Sequence, residues 1–348
     1  MKKIGLIFDS SHKIGSGHFW RCYNLAKILK KRERSFFFIS NKLQKNFINI
    51  LNKEGFNYIK LKSLKKTSNI KSLIKTKQLD TFISDYYDLD EKNKKEINKI
   101  VNCFIVIDDH LNKKHFCNVY INNNFMTNIS KKRIKKLNPN SKLLLGIKYF
   151  INTYKFSRLK KKEKNKNEIK KVFAFFGSSD PSNETFKFIK SIQDYRNIKF
   201  QILIGKLNKN YQKIKNYCRG KKNINLFYNL TNYKTLKLMQ NNDLSFGSGG
   251  INLTERLFLG LPSIVLCTAE NQKSALIALK NKKIIHFLGN SKNVSASLIK
   301  NCLKNFMKNK KLLQLLLKKT HQYYTGKNNS IFLQKKLNFI TKKFINNV

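Results

Sequence analysis

Ile4-Gly5-Leu6-Ile7-Phe8-Asp9 runs through Ser10-Ser11-His12-Lys13-Ile14-Gly15-Ser16-Gly17 into His18-Phe19-Trp20-Arg21, and this stretch decides the fold. Five apolar residues stopped by Asp9 are too few for a secretory apolar segment and suit a buried strand. From His18 to Lys31, Trp20, Tyr23, Leu25, Ile28 and Leu29 recur at helical spacing. A strand that passes through a glycine turn into a helix is the first unit of a parallel α/β sheet.

The pattern then repeats. Ser35–Ile39, Thr81–Ser84, Cys103–Ile107 and Val119–Ile121 read as further strands. A lysine-rich interval, Leu159 to Lys171, has almost no apolar content and reads as a linker. Beyond it strands are expected at Val172–Phe176, Lys199–Ile204, Ile224–Phe227, Leu244–Phe246, Ser263–Leu266 and Ile284–Phe287. The expected architecture is α/β, with two Rossmann-like doubly wound domains facing across a cleft. Residues 1–158 and 172–325 form the domains, 159–171 the linker and 326–348 a helical tail. The length of 348 residues agrees with two domains of ~100–200 residues each.

Composition narrows the function. With 41% hydrophobic and 12% aromatic residues, a disordered polar chain is excluded. Lys and Arg number 72 against 19 acidic residues, a net charge of +53. The lysines are spread along the chain with abundant Asn and Ile, so they read as solvated surface, and no nucleic-acid partner is expected. Neither an aromatic–basic sheet signature nor a recognition helix accompanies the charge, which would still speed encounter with anionic substrates. The apolar stretch Phe258 to Ala269 is broken by Pro262 and is too short to span a membrane. Cys22, Cys103, Cys117, Cys218, Cys267 and Cys302 form no C-x-x-C pair, so they read as reduced core thiols of a cytoplasmic protein with no zinc site.

Four segments could carry chemistry. Gly15 and Gly17 allow close backbone approach before a helix start, but neither the third glycine of a dinucleotide fingerprint nor a P-loop is present. His18 stands there instead. The positive helix end should keep its imidazole neutral, which suits either a general base or a helix-capping histidine. Arg21, one turn on, could hold a carboxylate or phosphate, or form a surface ion pair. The second segment is Phe176-Gly177-Ser178-Ser179-Asp180-Pro181, where Ser178 could donate to phosphate while Asp180 to Asn183 cap the next helix. The third, Gly247-Ser248-Gly249-Gly250, closes a strand and opens a helix, so Ser248, Gly249 and Gly250 could form an anion nest. In that helix Glu255 could accept from a ribose diol, or be a surface residue. The fourth is Ala269-Glu270-Asn271-Gln272, where Asn271 and Gln272 could pair with sugar groups or cap a helix.

As an ordered set these segments resemble the UDP-2,4-diacetamido-2,4,6-trideoxy-β-L-altropyranose hydrolases (PseG) of pseudaminic acid biosynthesis, which are akin to the MurG transferase. The matching residues are D-S-S-x-x-I-G-x-G-H-x-x-R (Asp9 to Arg21), S-D-Y-Y (Ser84 to Tyr87) and I-D-D (Ile107 to Asp109). They continue with L-L-G-x-K-Y (Leu144 to Tyr149), F-G-S-S-D-P (Phe176 to Pro181), G-S-G-G…E-R-x-x-L-G-L-P (Gly247 to Pro262) and A-E-N-Q (Ala269 to Gln272). The resemblance implies a GT-B-type fold and metal-independent, cofactor-free release of UDP by water attack at the anomeric carbon. It places the catalytic histidine on His18 and the active-site tyrosine on Tyr87, with Tyr86 as rival and Asp85 beside them. Phosphate falls on Ser248, Gly249 and Gly250, and ribose on Glu255. The partner so implied is a small UDP-sugar. A monomer is expected, and flagellin or capsule glycosylation would consume the product. A GT-B glycosyltransferase using the same donor is the alternative, because fold does not fix function.

Overall fold

The computed structural model describes residues 2–9, 17–30, 33–64, 66–110, 112–151, 159, 168–323 and 333–339. The chain divides into two compact units, Met1–Tyr154 with Asn328–Val348, and Lys155–Lys327.

In the first unit seven strands form one sheet: β1 (Lys2–Phe8), β2 (Arg34–Ser40), β3 (Asn57–Lys60), β4 (Thr81–Asp85), β5 (Cys103–Ile107), β6 (Val119–Asn122) and β7 (Lys142–Leu145). Their order is β3-β2-β1-β4-β5-β6-β7, and every neighbouring pair is parallel. The strand period of two sends Ile4, Leu6 and Phe8 to one face, against Cys22, Leu25 and Phe47. Ile7 goes to the other, against Ile70, Ile74 and Leu79. Both faces are therefore covered, which is why the β1 segment reads as an unbroken apolar run. The strand order reverses between β1 and β4, and ligands bind at such a switch point, outside the carboxyl ends of the strands.

The second unit repeats the design with β8 (Lys171–Phe175), β9 (Lys199–Ile204), β10 (Ile224–Tyr228), β11 (Leu244–Ser248), β12 (Ser263–Cys267) and β13 (His286–Asn290). Their order is β10-β9-β8-β11-β12-β13, again all parallel, with the reversal between β8 and β11.

Three strands differ from the sequence expectation. β3 (NYIK) and β7 (KLLL) are edge strands of only four residues, too short to stand out. β13 begins at His286, two residues later than expected. The Ile284 N–H is donated to Leu279 O, closing the preceding helix Glu270–Asn281, and the ladder shifts register between Val265 and Leu266.

Residues 160–167 of the expected linker and most of the expected tail lie outside the described residues. Within the tail, residues 333–339 are helical, and Leu333 and Leu337 are fully buried in the core of the first unit. Gln334 Nε2 donates to Ile28 O at 2.5 Å. The leucine-rich helix Lys310–Tyr323 buries Leu313, Leu316 and Leu317 in the second unit's core, while Leu315 stays exposed. All six cysteines are buried free thiols. Among the described residues no helix is long and apolar enough to cross a membrane.

Because Leu337 is fully buried at this return of the chain, Leu337→Ala is expected to cost about 2–5 kcal/mol. Urea unfolding would read it as a lower midpoint. A change within about 0.5 kcal/mol, the range of ordinary surface substitutions, would mean the helix contributes no core.

Candidate active site

In the first unit, the ends of β1, β4 and β5 bring five polar side chains together. His18 is the second residue of the helix Gly17–Leu29 that follows β1, with Gly17 at its first position. Gly15 lies outside the described residues. Asp85 ends β4, Tyr87 follows two residues later, and Asp109 lies just past β5.

The centre of this cluster is Arg21, one turn after His18 and only 4% exposed. Its Nε donates to Asp85 Oδ2 at 2.7 Å, and its Nη2 donates to Asp85 Oδ1. Its Nη1 reaches both oxygens of Asp109, at 3.0 and 2.8 Å, and Nη2 also reaches the Tyr87 hydroxyl at 3.2 Å. Arg21 and Asp85, both expected to bind substrate, spend polar atoms on each other and on their neighbours. The helical period explains it: Arg21 falls on the same buried face as Leu25 and Ile28, so its charge enters the core and must be paired there.

Asp85 is 1% exposed. Burial pushes its carboxyl up, but the Arg21 guanidinium and the His18 ring outweigh burial and hold it at about 2. It is therefore a carboxylate and can only accept. His18 Nδ1 lies 2.8 Å from Asp85 Oδ1, so Nδ1 carries the hydrogen and Nε2 is left as the ring's basic nitrogen. Arg21 Nη2, 3.4 Å from the same Nδ1, is already taken up by Asp85. His18 thus meets the requirement of an oriented base.

Tyr87 packs edge-on against the His18 ring, with centroids 4.8 Å apart at 80°. Its hydroxyl donates to Asp109 Oδ2. Burial and the Asp109 charge push that phenol well above its ordinary range, so it stays neutral and serves as donor and wall. Tyr86 is buried in the opposite-face core with Leu89 and Ile97, which separates it from this cluster. Asp109 is the member that sequence reasoning quoted within I-D-D without assigning it to the site. It accepts from Arg21, Tyr87 and Asn124 Nδ2, the last at 3.0 Å. A carboxylate closing an apolar strand run was its only signal.

In the second unit the corresponding switch point carries the glycine turn. Ser248 ends β11, Gly249 follows, and Gly250, at φ +91°, caps the helix Ile251–Phe258. The Gly249 N–H is donated to Leu266 O at 3.3 Å. Gly249 therefore serves by lacking a side chain, since a Cβ there would lie 3.0 Å from Gln272 Oε1. The free donors of a helix start are its first N–H groups, here those of Ile251 and Asn252 together with the capping Gly250. Gln272 Oε1 accepts from the Thr268 N–H and hydroxyl, both at 3.3 Å, which holds the amide beside the turn. Asn271 is half-buried at the second position of the helix Glu270–Asn281.

Glu255 is buried. Its two oxygens accept from Asn232 Nδ2 at 3.1 Å and Asn252 Nδ2 at 3.2 Å. Burial raises its carboxyl to about 7 against the pull of the two amides and Arg256. Nothing in the sequence around Asn232 marked it as a partner. Near β8, Ser178 is half-buried and its carbonyl accepts from Leu207 N at 3.1 Å. Asp180 caps the next helix by accepting from the N–H groups of Glu184 and Thr185, each at 2.9 Å.

No family model matches the chain. An uncharacterized protein of Methanocaldococcus jannaschii is 28% identical over 284 residues, 78% of this chain. The match spans 57% of that relative, so the chain covers little more than half its length. The spore coat polysaccharide biosynthesis protein SpsG of Bacillus subtilis is 23% identical over 274 residues, 77% of this chain and 78% of SpsG. Among solved structures, MurG of Acinetobacter baumannii superposes with a TM-score of 0.61 at 11% identity, covering 98% of this chain and 100% of MurG. The S. aureus MnaA–UDP co-structure gives 0.63 at 12% identity, covering 100% and 98%. A UDP-glucosyltransferase from Polygonum tinctorium gives 0.65 at 10% identity, covering 98% of each chain. The fold is that of the GT-B glycosyltransferases, built from two Rossmann-like units.

The depressed carboxyl of Asp85 makes a pH prediction. A group held at about 2 in the folded protein, against 3.8 ordinarily, adds about 2 kcal/mol of stability above pH ~4 and loses it as pH falls toward 2. The stability gap between wild type and Asp85→Asn should therefore be widest above pH ~4 and close toward pH 2 in urea titrations. A gap that is constant over this range would contradict the pairing.

Proposed function

We propose that the protein is a UDP-sugar hydrolase in which His18 takes a proton from water as that water attacks the anomeric carbon. The observation that carries this reading is the 2.8 Å contact of His18 Nδ1 with the buried Asp85 carboxylate. A carboxylate in that position fixes the tautomer and compensates the positive charge the ring gains with the proton.

In the reaction so read, the bond from the anomeric carbon to the diphosphate oxygen breaks and its electron pair leaves with UDP. A bond to the water oxygen forms, and the water proton passes to His18 Nε2. Attack opposite the leaving group inverts the anomeric configuration, as in inverting glycosidases. The departing diphosphate is assigned to the helix-start N–H groups from Gly250 to Asn252, where fixed donors stabilise growing negative charge. The ribose is assigned to Glu255, and Ser178, Asn271 and Gln272 are assigned to the donor's phosphate and sugar groups. Tyr87 holds the His18 ring from the side.

The sugar is assigned as the 2,4-diacetamido-2,4,6-trideoxy-altropyranose of the family that the sequence resembles. The likeness to a polysaccharide biosynthesis protein and to a fold neighbour solved with UDP supports a nucleotide-sugar substrate.

Incubation of the UDP-sugar with the protein alone, followed by proton NMR, is expected to give UDP and the free sugar, first as the inverted anomer. Release that requires an added acceptor hydroxyl would make the protein a transferase. His18→Ala is expected to bind UDP as before and to lose ~10²–10⁴-fold in turnover. Unchanged turnover in that variant would overturn the assignment.

A further inference from the structure

The segment Gly247 to Pro262 holds a charged residue that this reaction leaves unused. Arg256 is completely buried, the largest side chain among the described residues to be so. Its Nη2 donates to Ser248 O at 2.5 Å and its Nη1 to Ser245 Oγ at 3.4 Å. Its Nε has no hydrogen-bond partner among the described residues. The adjacent Glu255 spends its oxygens on Asn232 and Asn252. Burial accordingly lowers the Arg256 guanidinium to about 9, and Glu255 opposes this only in part.

The guanidinium lies directly behind the glycine turn. A Cβ on Gly247 would sit 3.2 Å from Nη1 and 2.1 Å from Phe175 O, so β11 must carry glycine where the arginine and β8 close on it. The Ser248–Gly249 peptide is pinned at both ends, its carbonyl by Arg256 and its N–H by Leu266 O. With that carbonyl held by the interior cation, its negative end is kept from an incoming anion, and the following N–H groups are the ones offered.

We propose that Arg256 is the positioning residue of the anion-binding turn and the fixed positive charge behind it, and that the diphosphate of a bound nucleotide is its counter-ion. This rests on the UDP reading above. A buried cation with no hydrogen-bonded carboxylate acts through a low-dielectric interior, where salt screens it little. The surface lysines that give the chain its +53 act through water and are screened.

Calorimetric titration of uridine and of UDP into wild type, Arg256→Met and Arg256→Lys tests this. The methionine variant is expected to weaken UDP by at least about tenfold while uridine stays within about twofold, so that the preference for the diphosphate falls. The lysine variant keeps the charge and should restore most of that preference. A parallel loss of uridine and UDP, or an unchanged preference, would overturn the proposal.

A measurement on wild type stands independently of whether the variants fold. Its preference for UDP over uridine should persist from about 0.05 to 0.5 M salt, and its collapse would assign the preference to surface lysines. If wild type binds no UDP at all, the UDP-sugar reading itself fails. If it binds UDP with a preference indifferent to Arg256, only the present inference falls.

Discussion

A guanidinium buried between two carboxylates organises the first unit. Arg21 reaches Asp85 through Nε and Nη2 and Asp109 through Nη1, so carboxylates from the ends of two strands, β4 and β5, converge on one planar group. Removing one partner from such a cluster leaves an uncompensated charge in the interior, which typically costs about 3–5 kcal/mol. The same pairing keeps Asp85 ionised, and an ionised Asp85 orients His18. The orientation of the imidazole therefore depends on an arginine whose own contacts are made inside the fold.

Much of this was legible in the sequence because doubly wound sheets put functional residues at the carboxyl ends of strands. His18 follows β1, Asp85 ends β4 and Tyr87 lies two residues beyond it, both strands being apolar runs, and the glycine turn follows β11. The burial of Arg21 was not legible. A charged residue is usually solvated, and only the three-dimensional meeting with Asp109, 88 positions away, shows otherwise. Glu255 was visible as a carboxylate after a glycine turn, but its amide partner Asn232 comes from a separate helix. The edge strands β3 and β7 were missed because four residues carry little periodicity.

The two units solve opposite electrostatic problems with the same topology. In the first, two carboxylates surround one buried cation and a histidine gains an oriented, basic nitrogen. In the second, a buried cation lies behind backbone donors, and the nearby carboxyl, held by amides, is raised to about 7. The first arrangement suits taking up a proton and the second suits holding an anion.

The orientation of the His18 ring is the claim on which the rest turns, and nitrogen-15 NMR of the histidine side chains measures it directly. With the His18 signals identified by their loss in a His18→Gln variant, the neutral ring is expected to show a protonated Nδ1 and an unprotonated Nε2. A neutral ring carrying its hydrogen on Nε2 would contradict the account, because the nitrogen meant to receive the proton from water would already hold one.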